Sequence, residues 1–157
     1  MTIQLKYQGS PFSHRGFSAD GLQLPGLPVA AASFWAWRQL SAAERLLENL
    51  RAYRVYSALL PLVAEEQTAL NPTALDLLKL LRETHSQIRQ LVCNLTGVMR
   101  DLGLRVPGAA GQPLPSPEVR TPAWERKVRG YLVCVGLTAW LERTVRDLTF
   151  LKKKHRQ

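Results

Sequence analysis

The side chains that ordinarily carry chemistry are few in this chain and poorly spaced for it. The three histidines, His14, His85 and His155, stand far apart. No Ser–His–Asp or Cys–His pattern and no phosphate loop accompanies them, so an enzyme is the poorest reading. His85 lies on an apolar helical stripe with no second ligand at a matching spacing. It reads as a hydrogen-bonded core or boundary histidine, and no metal or other cofactor is expected. Cys93 and Cys134 each fall inside a helical pattern and form no metal motif. Two buried thiols come first as a reading, then one helix–helix disulfide, then a reactive site. What remains are spacings suited to recognition. Trp124 and Lys127 are three apart, which puts a large ring and a cation on one helix face. Arg143 and Asp147 are four apart, with Arg146 adjacent. The plain alternatives are that Trp124 caps the core and that Arg143 and Asp147 form a solvated pair worth a few tenths of a kcal/mol.

Charge points the same way. The chain has 157 residues, 46% hydrophobic, with a net charge of +9, and +7 of that lies from Arg120 onward. One domain with a sizeable core is expected. The basic end suits either a solvated helix face or an acidic partner such as a receptor, heparan sulfate or nucleic acid. No apolar run reaches 18 residues, so no membrane span is expected. The start, Met1 to Tyr7, lacks the apolar core of a signal peptide, and entry to the secretory pathway by the usual signal is not expected.

Three long helices must position these residues. The first spans 41–66: Ser41 and Glu44 have capping-box spacing, and Leu46, Leu50, Tyr53, Ser57 and Leu60 share a face. Pro61 should kink it. The second spans 72–102, with Asn71 as cap, Pro72 in the first turn and Gly103 closing it. The third spans 122–154, with Thr121 as cap and Pro122 in its first position. Its apolar rows run through Trp124, Val128, Tyr131, Val135 and Val145, and through Leu132, Leu137, Trp140 and Leu141. It ends in Lys152-Lys153-Lys154, where the macrodipole favours cations.

The connections are as informative as the helices. Residues 9–40 and 103–121 are long and rich in Pro and Gly, while 67–71 is a short turn. Phe12, Phe17, Phe34, Trp35 and Trp37 in the first connection suggest that it lies over the core. Two long crossovers around one short turn fit an up-up-down-down bundle. Only Met1 to Tyr7 remain for its first helix, so that helix reads as largely absent and the core as keeping an open apolar groove. Within this chain the first and last long helices are expected to run parallel, and the middle one antiparallel to both.

Three stretches resemble a known family. They are Tyr7-Gln8-Gly9-Ser10-Pro11-Phe12-Ser13 with Gly16-Phe17-Ser18-Ala19, then Ala43-Glu44-Arg45-Leu46-Leu47-Glu48-Asn49-Leu50-Arg51-Ala52-Tyr53-Arg54, and then Glu125-Arg126-Lys127-Val128-Arg129-Gly130-Tyr131 with Val145-Arg146-Asp147-Leu148. Together they are similar to the interleukin-6 cytokines of the ciliary neurotrophic factor and cardiotrophin branch. The resemblance implies an all-α, long-chain four-helix cytokine bundle in which helices B, C and D correspond to 41–66, 72–102 and 122–154. Residues 1–40 would then be the remnant of helix A and its crossover. It implies an extracellular ligand that binds the ciliary neurotrophic factor receptor alpha, the leukaemia inhibitory factor receptor and the shared interleukin-6-family transducer, and so starts JAK–STAT signalling.

The resemblance also assigns residues. An aromatic and a lysine opening the last helix engage the leukaemia inhibitory factor receptor in the family; here these are Trp124 and Lys127, with Trp where the family usually has Phe. Its alpha-receptor site matches Trp37, Arg143, Arg146 and Asp147, expected as one exposed patch. Thr149 stands where a further arginine occurs in the family. The alternative is a basic helical protein that binds heparan sulfate or nucleic acid through its C-terminal face, with a membrane-surface helix third. Asn94-Leu95-Thr96 fits a glycosylation sequon, but its mid-helix position makes a chance match the expectation.

Overall fold

The computed structural model describes residues 8–14, 16–17, 21–108 and 121–154. Among these, all regular structure is helical: α1 (Phe34–Gln39), α2 (Ala42–Leu70), α3 (Leu75–Asp101) and α4 (Ala123–Lys154). The fold is all-α, as the periodicity implies, and suits a helical cytokine bundle. The expected remnant at Met1 to Tyr7 lies outside the described residues.

The ends of α2 and α3 show how local chemistry sets their lengths. At the start of α2 the capping box closes in full: Ser41 Oγ accepts from the Glu44 N–H at 3.2 Å, and Glu44 Oε2 accepts from the Ser41 N–H at 2.8 Å. Pro61 does not divide α2, which continues four residues past Glu66 to Leu70. Asn71 ends α2 rather than starting α3; its N–H donates to the Gln67 carbonyl at 2.8 Å. Ala74, with no side-chain cap, then precedes α3. Gly103 closes α3 as expected, in the left-handed region at φ 65°. Its N–H reaches the Arg100 carbonyl at 2.9 Å and that of Leu104 reaches Met99 at 2.8 Å, the paired bonds of a Schellman motif.

α2 is the central element, packed against both α3 and α4, while α3 and α4 make no close approach to each other. Leu46, Leu50, Tyr53, Tyr56, Leu60 and Val63 of α2 are buried among Leu77, Leu81, Ile88, Leu95 and Met99 of α3 and Val133, Leu137 and Trp140 of α4. Each such aliphatic side chain contributes roughly 1.5–3 kcal/mol of burial.

One expectation of direction is overturned. Arg45 of α2 pairs with Asp147 of α4, Tyr53 with Thr144, and Glu66 with Arg129. Numbers rise along α2 as they fall along α4, so these two helices are antiparallel. The four-residue connection 71–74 likewise makes α2 and α3 antiparallel. The parallel pair is therefore α3 and α4, the two joined by the long crossover. A long connection spans the bundle's length, and only consecutive helices that point the same way need one.

Away from α2, α3 exposes Leu80 and Val98, and α4 exposes Leu141, Val145 and Leu148. The first connection does lie over the bundle. The Pro28 carbonyl accepts from Trp140 Nε1 at 3.0 Å and from the Tyr56 hydroxyl at 3.3 Å.

Candidate functional site

Two side-chain clusters stand at opposite ends of α4. The first is built around Asp147, which is fully buried. Its carboxylate accepts from Arg45 Nη1 at 2.9 Å, from Trp37 Nε1 at 2.6 Å and from Asn49 Nδ2 at 2.8 Å. Arg45 is itself fully buried. Its Nη2 donates to the Trp37 carbonyl at 2.5 Å and to that of Arg38 at 3.3 Å. The guanidinium also stacks on the rings of Trp37 and Phe150, 4.5 Å from each centroid. Charge, ring faces and carbonyls together compensate a cation that has lost its water.

The network extends inward. Thr144 Oγ1 meets the Tyr53 hydroxyl at 2.5 Å and donates to Asn49. Burial, with the Asp147 charge in support, pushes the Tyr53 hydroxyl pKa up, while its hydrogen bond to Thr144 opposes the shift. Arg143 bonds Glu48, lies 3.6 Å from Asp147 and covers the Trp140 ring.

The structure thus brings Trp37, Arg143 and Asp147 together, but not as an exposed patch. Arg143 and Asp147 are interior; only Trp37, half-buried, and Arg146, exposed, reach the surface. An i,i+4 spacing alone cannot distinguish a solvated pair from a buried one. The deciding partner, Arg45, lies 102 residues away in sequence. The sequence places Phe34 and Trp35 over the core with the other aromatics of the first connection, but they are 59% and 72% exposed. The run Phe-Trp-Ala-Trp was the available signal, because adjacent helical positions point about 100° apart and Phe34 and Trp35 cannot both face the core. Beside α1 a cavity of about 940 Å³ opens between Pro28, Ala36, Arg51, Val55 and Trp140.

The second cluster surrounds the start of α4. Trp124 is 47% exposed, and its ring packs 5.2 Å from that of buried Phe12. Phe17 and Tyr131 complete an aromatic group around Phe12, at 5.0 and 5.5 Å. Trp124 is therefore both anchored on one face and open on the other. Lys127 is half-buried and its Nζ donates to the Gln8 carbonyl at 3.0 Å. Below it, Arg129 bonds Glu66 at 2.5 Å. Burial pushes the Glu66 carboxyl pKa up, against the pull of Arg129 and Arg126.

The remaining chemical candidates are plain. Cys93 is exposed and Cys134 half-buried, and both are free, so the expectations of two buried thiols and of a disulfide both fail. Burial pushes the Cys134 thiol up to about 11. His85 is half-buried on α3, and no metal-holding cluster occurs among the described residues. Asn94 is exposed in mid-α3 and Thr96 Oγ1 donates to the Val92 carbonyl at 2.7 Å, keeping the sequon helical. No described helix is long and apolar enough to cross a membrane. Arg45, Arg129 and Arg143 are internal ion-pair partners, whereas Lys152, Lys153 and Lys154 are exposed.

A family model described as ciliary neurotrophic factor matches residues 5–157. Cardiotrophin-2 of Mus musculus is 40% identical over 151 residues, covering 96% of this chain and 74% of that protein. Cardiotrophin-1 of Mus musculus is 34% identical over 149 residues, covering 92% and 72%. Ciliary neurotrophic factor of Homo sapiens is 30% identical over 148 residues, covering 94% and 70%. No solved structure matches the chain.

Proposed function

This chain belongs to the ciliary neurotrophic factor family, within the interleukin-6 cytokines, and on that premise we propose that it acts extracellularly by assembling a receptor complex. As a family member it is a cytokine of the neurotrophic class and not an enzyme. The receptors proposed are the ciliary neurotrophic factor receptor alpha, the leukaemia inhibitory factor receptor and the shared interleukin-6-family transducer, with JAK–STAT activation as the output.

The observation that carries the reading is the separation of two aromatic–basic clusters along one unbroken helix. Trp124 and Asp147 are 23 residues apart on α4, which is about 35 Å of helix. That distance suits two receptor chains bound without collision. At the first end Trp124 offers a ring already seated on Phe12, and Lys127 offers a cation held near it. This suits the leukaemia inhibitory factor receptor: the ring supplies apolar area and the ammonium supplies orientation and association rate. At the second end Trp37 and Arg146 reach the alpha receptor, while Arg143 and Asp147 hold the surface in shape.

Binding of purified receptor ectodomains tests both assignments. Trp124→Ala with Lys127→Ala should abolish binding to the leukaemia inhibitory factor receptor and leave alpha-receptor binding within twofold. Loss of both, or of neither, in a folded protein refutes the division of labour. A secondary contact with heparan sulfate is favoured by the exposed Lys152, Lys153 and Lys154 alone. Elution from heparin at the same salt after all three are changed to Ala would end it.

A further inference from the structure

We infer that Phe34 and Trp35 on α1 form the anchor of the alpha-receptor contact, with Arg38 and Arg146 as its charged rim. The inference rests on the reading of this chain as an alpha-receptor ligand, and names the residues that reading left out.

The helix α1 has only six residues, none of them buried. A turn of that length has no stability of its own in water. It is nevertheless fixed from beneath. Ser33 Oγ caps the Ala36 N–H at 3.2 Å. Trp37 Nε1 is held by Asp147 at 2.6 Å, and Arg45 holds the carbonyls of Trp37 and Arg38 at 2.5 and 3.3 Å. All of these anchors act on the inner side or the ends of α1. What they present outward is a T-shaped pair, Phe34 and Trp35, with centroids 5.7 Å apart; Phe34 lies 6.2 Å from Trp37.

Two large rings left in water on a fixed support are costly for an isolated molecule and useful for a bound one. The support removes most of the ordering entropy that a flexible loop would lose on binding. Exposed aromatic pairs of this kind are the usual centre of a protein–protein contact. The rim is cationic: Arg38 follows Trp37, and Arg146 precedes the Asp147 that holds it. Both are exposed, and neither enters an ion pair among the described residues. The occupant is therefore a folded protein surface with an apolar cleft bordered by carboxylates. A single-stranded nucleic acid would need a basic groove tracking its backbone. α1 offers a raised ring pair instead.

The test is surface plasmon resonance on the immobilised ectodomain of the ciliary neurotrophic factor receptor alpha. It uses the full chain and three variants: Phe34→Ala with Trp35→Ala, Arg38→Glu with Arg146→Glu, and Trp124→Ala with Lys127→Ala. Phe34 and Trp35 are exposed, so the first variant should melt with the wild type, which circular dichroism checks. It should weaken affinity by roughly a hundredfold, as a central aromatic anchor does. The charge reversal should slow association about tenfold at low salt and little at high salt. The third variant should bind as wild type. Wild-type affinity in the Phe34/Trp35 variant overturns this inference alone. No binding by the wild type overturns the alpha-receptor reading with it. Flotation of the wild type with anionic lipid vesicles, lost in the same variant while receptor binding persists, assigns the rings to a membrane and equally overturns it.

Discussion

Replacing Asp147 by Ala should be among the most damaging single changes in this protein. The carboxylate is fully buried and accepts from Arg45, Trp37 and Asn49 at 2.9, 2.6 and 2.8 Å. Its removal leaves the Arg45 guanidinium buried with no anion on Nη1, and leaves the Trp37 indole N–H without its acceptor. Breaking a buried ion pair from one side costs about 3–5 kcal/mol. Against a whole-domain stability of about 5–15 kcal/mol, that is a fifth or more. Thermal melting followed by circular dichroism should fall by about 10 °C, at roughly 2–4 °C per kcal/mol for a chain of this size. The loss comes from stranding a charge rather than from losing an attraction. The double variant Arg45→Met with Asp147→Leu should therefore recover most of the stability, although α1 loses its tether. Indole fluorescence would report that loss separately. A single variant that melts within 2 °C of the wild type, or a double variant worse than the single, would refute the reasoning.

Three further outcomes follow from contacts elsewhere. Gly136→Ala puts a methyl into the Tyr56 hydroxyl, which itself reaches Pro28; urea unfolding should show a loss of about 1–3 kcal/mol from overpacking. At pH 8 a thiol reagent should label Cys93 at once and Cys134 only on unfolding, since burial pushes the latter's pKa up to about 11; equal rates would contradict this. Glu66 has a raised carboxyl pKa, so the folded state holds its proton more tightly than the unfolded one. Its contribution is fully present below the ordinary value of 4.5 and is lost as pH rises through the raised one. Glu66→Gln should therefore gain on the wild type as pH climbs from about 4.5 towards neutrality, and parallel urea midpoints across that range would exclude it.

The three long helices were legible because each carries a long run of helix-compatible apolar spacing and at least one chemical stop. Ser41 with Glu44, and Gly103, work through neighbours three to five residues away, and local sequence carries that information. Asn71 was misplaced because the same side chain suits either side of a turn, and here the backbone of α2 claimed it. α1 was hidden inside a connection because six residues show no period; it exists by virtue of Ser33 beneath its first turn and Asp147 across the bundle. The direction of α4 against α2 and the burial of Arg143 and Asp147 have one cause. Both depend on Arg45, Glu48 and Tyr53 meeting residues that lie more than 90 positions away. No window of sequence contains both halves of such a pair. The resemblance to a cytokine family identified the class of fold, yet it could not tell a surface carboxylate from a buried one.

The central place of α2 has a consequence for how the chain acquires its shape. The α2–α3 hairpin is closed by four residues, whereas the contacts of α2 with α4 span 63 to 102 positions. Closing the longer loop costs more chain entropy, and slow, late contacts are the usual result. The hairpin is therefore expected to assemble first, with α4 docking onto it later. If Asp147 and Arg45 meet only then, substitutions there should accelerate unfolding and leave the folding rate nearly untouched, while Leu81→Ala in the hairpin should slow folding, which stopped-flow chevrons would check. Amide exchange should divide along the same line. α4 should then open as a unit before α2 and α3 do, so this helix can be lost while the hairpin keeps its fold.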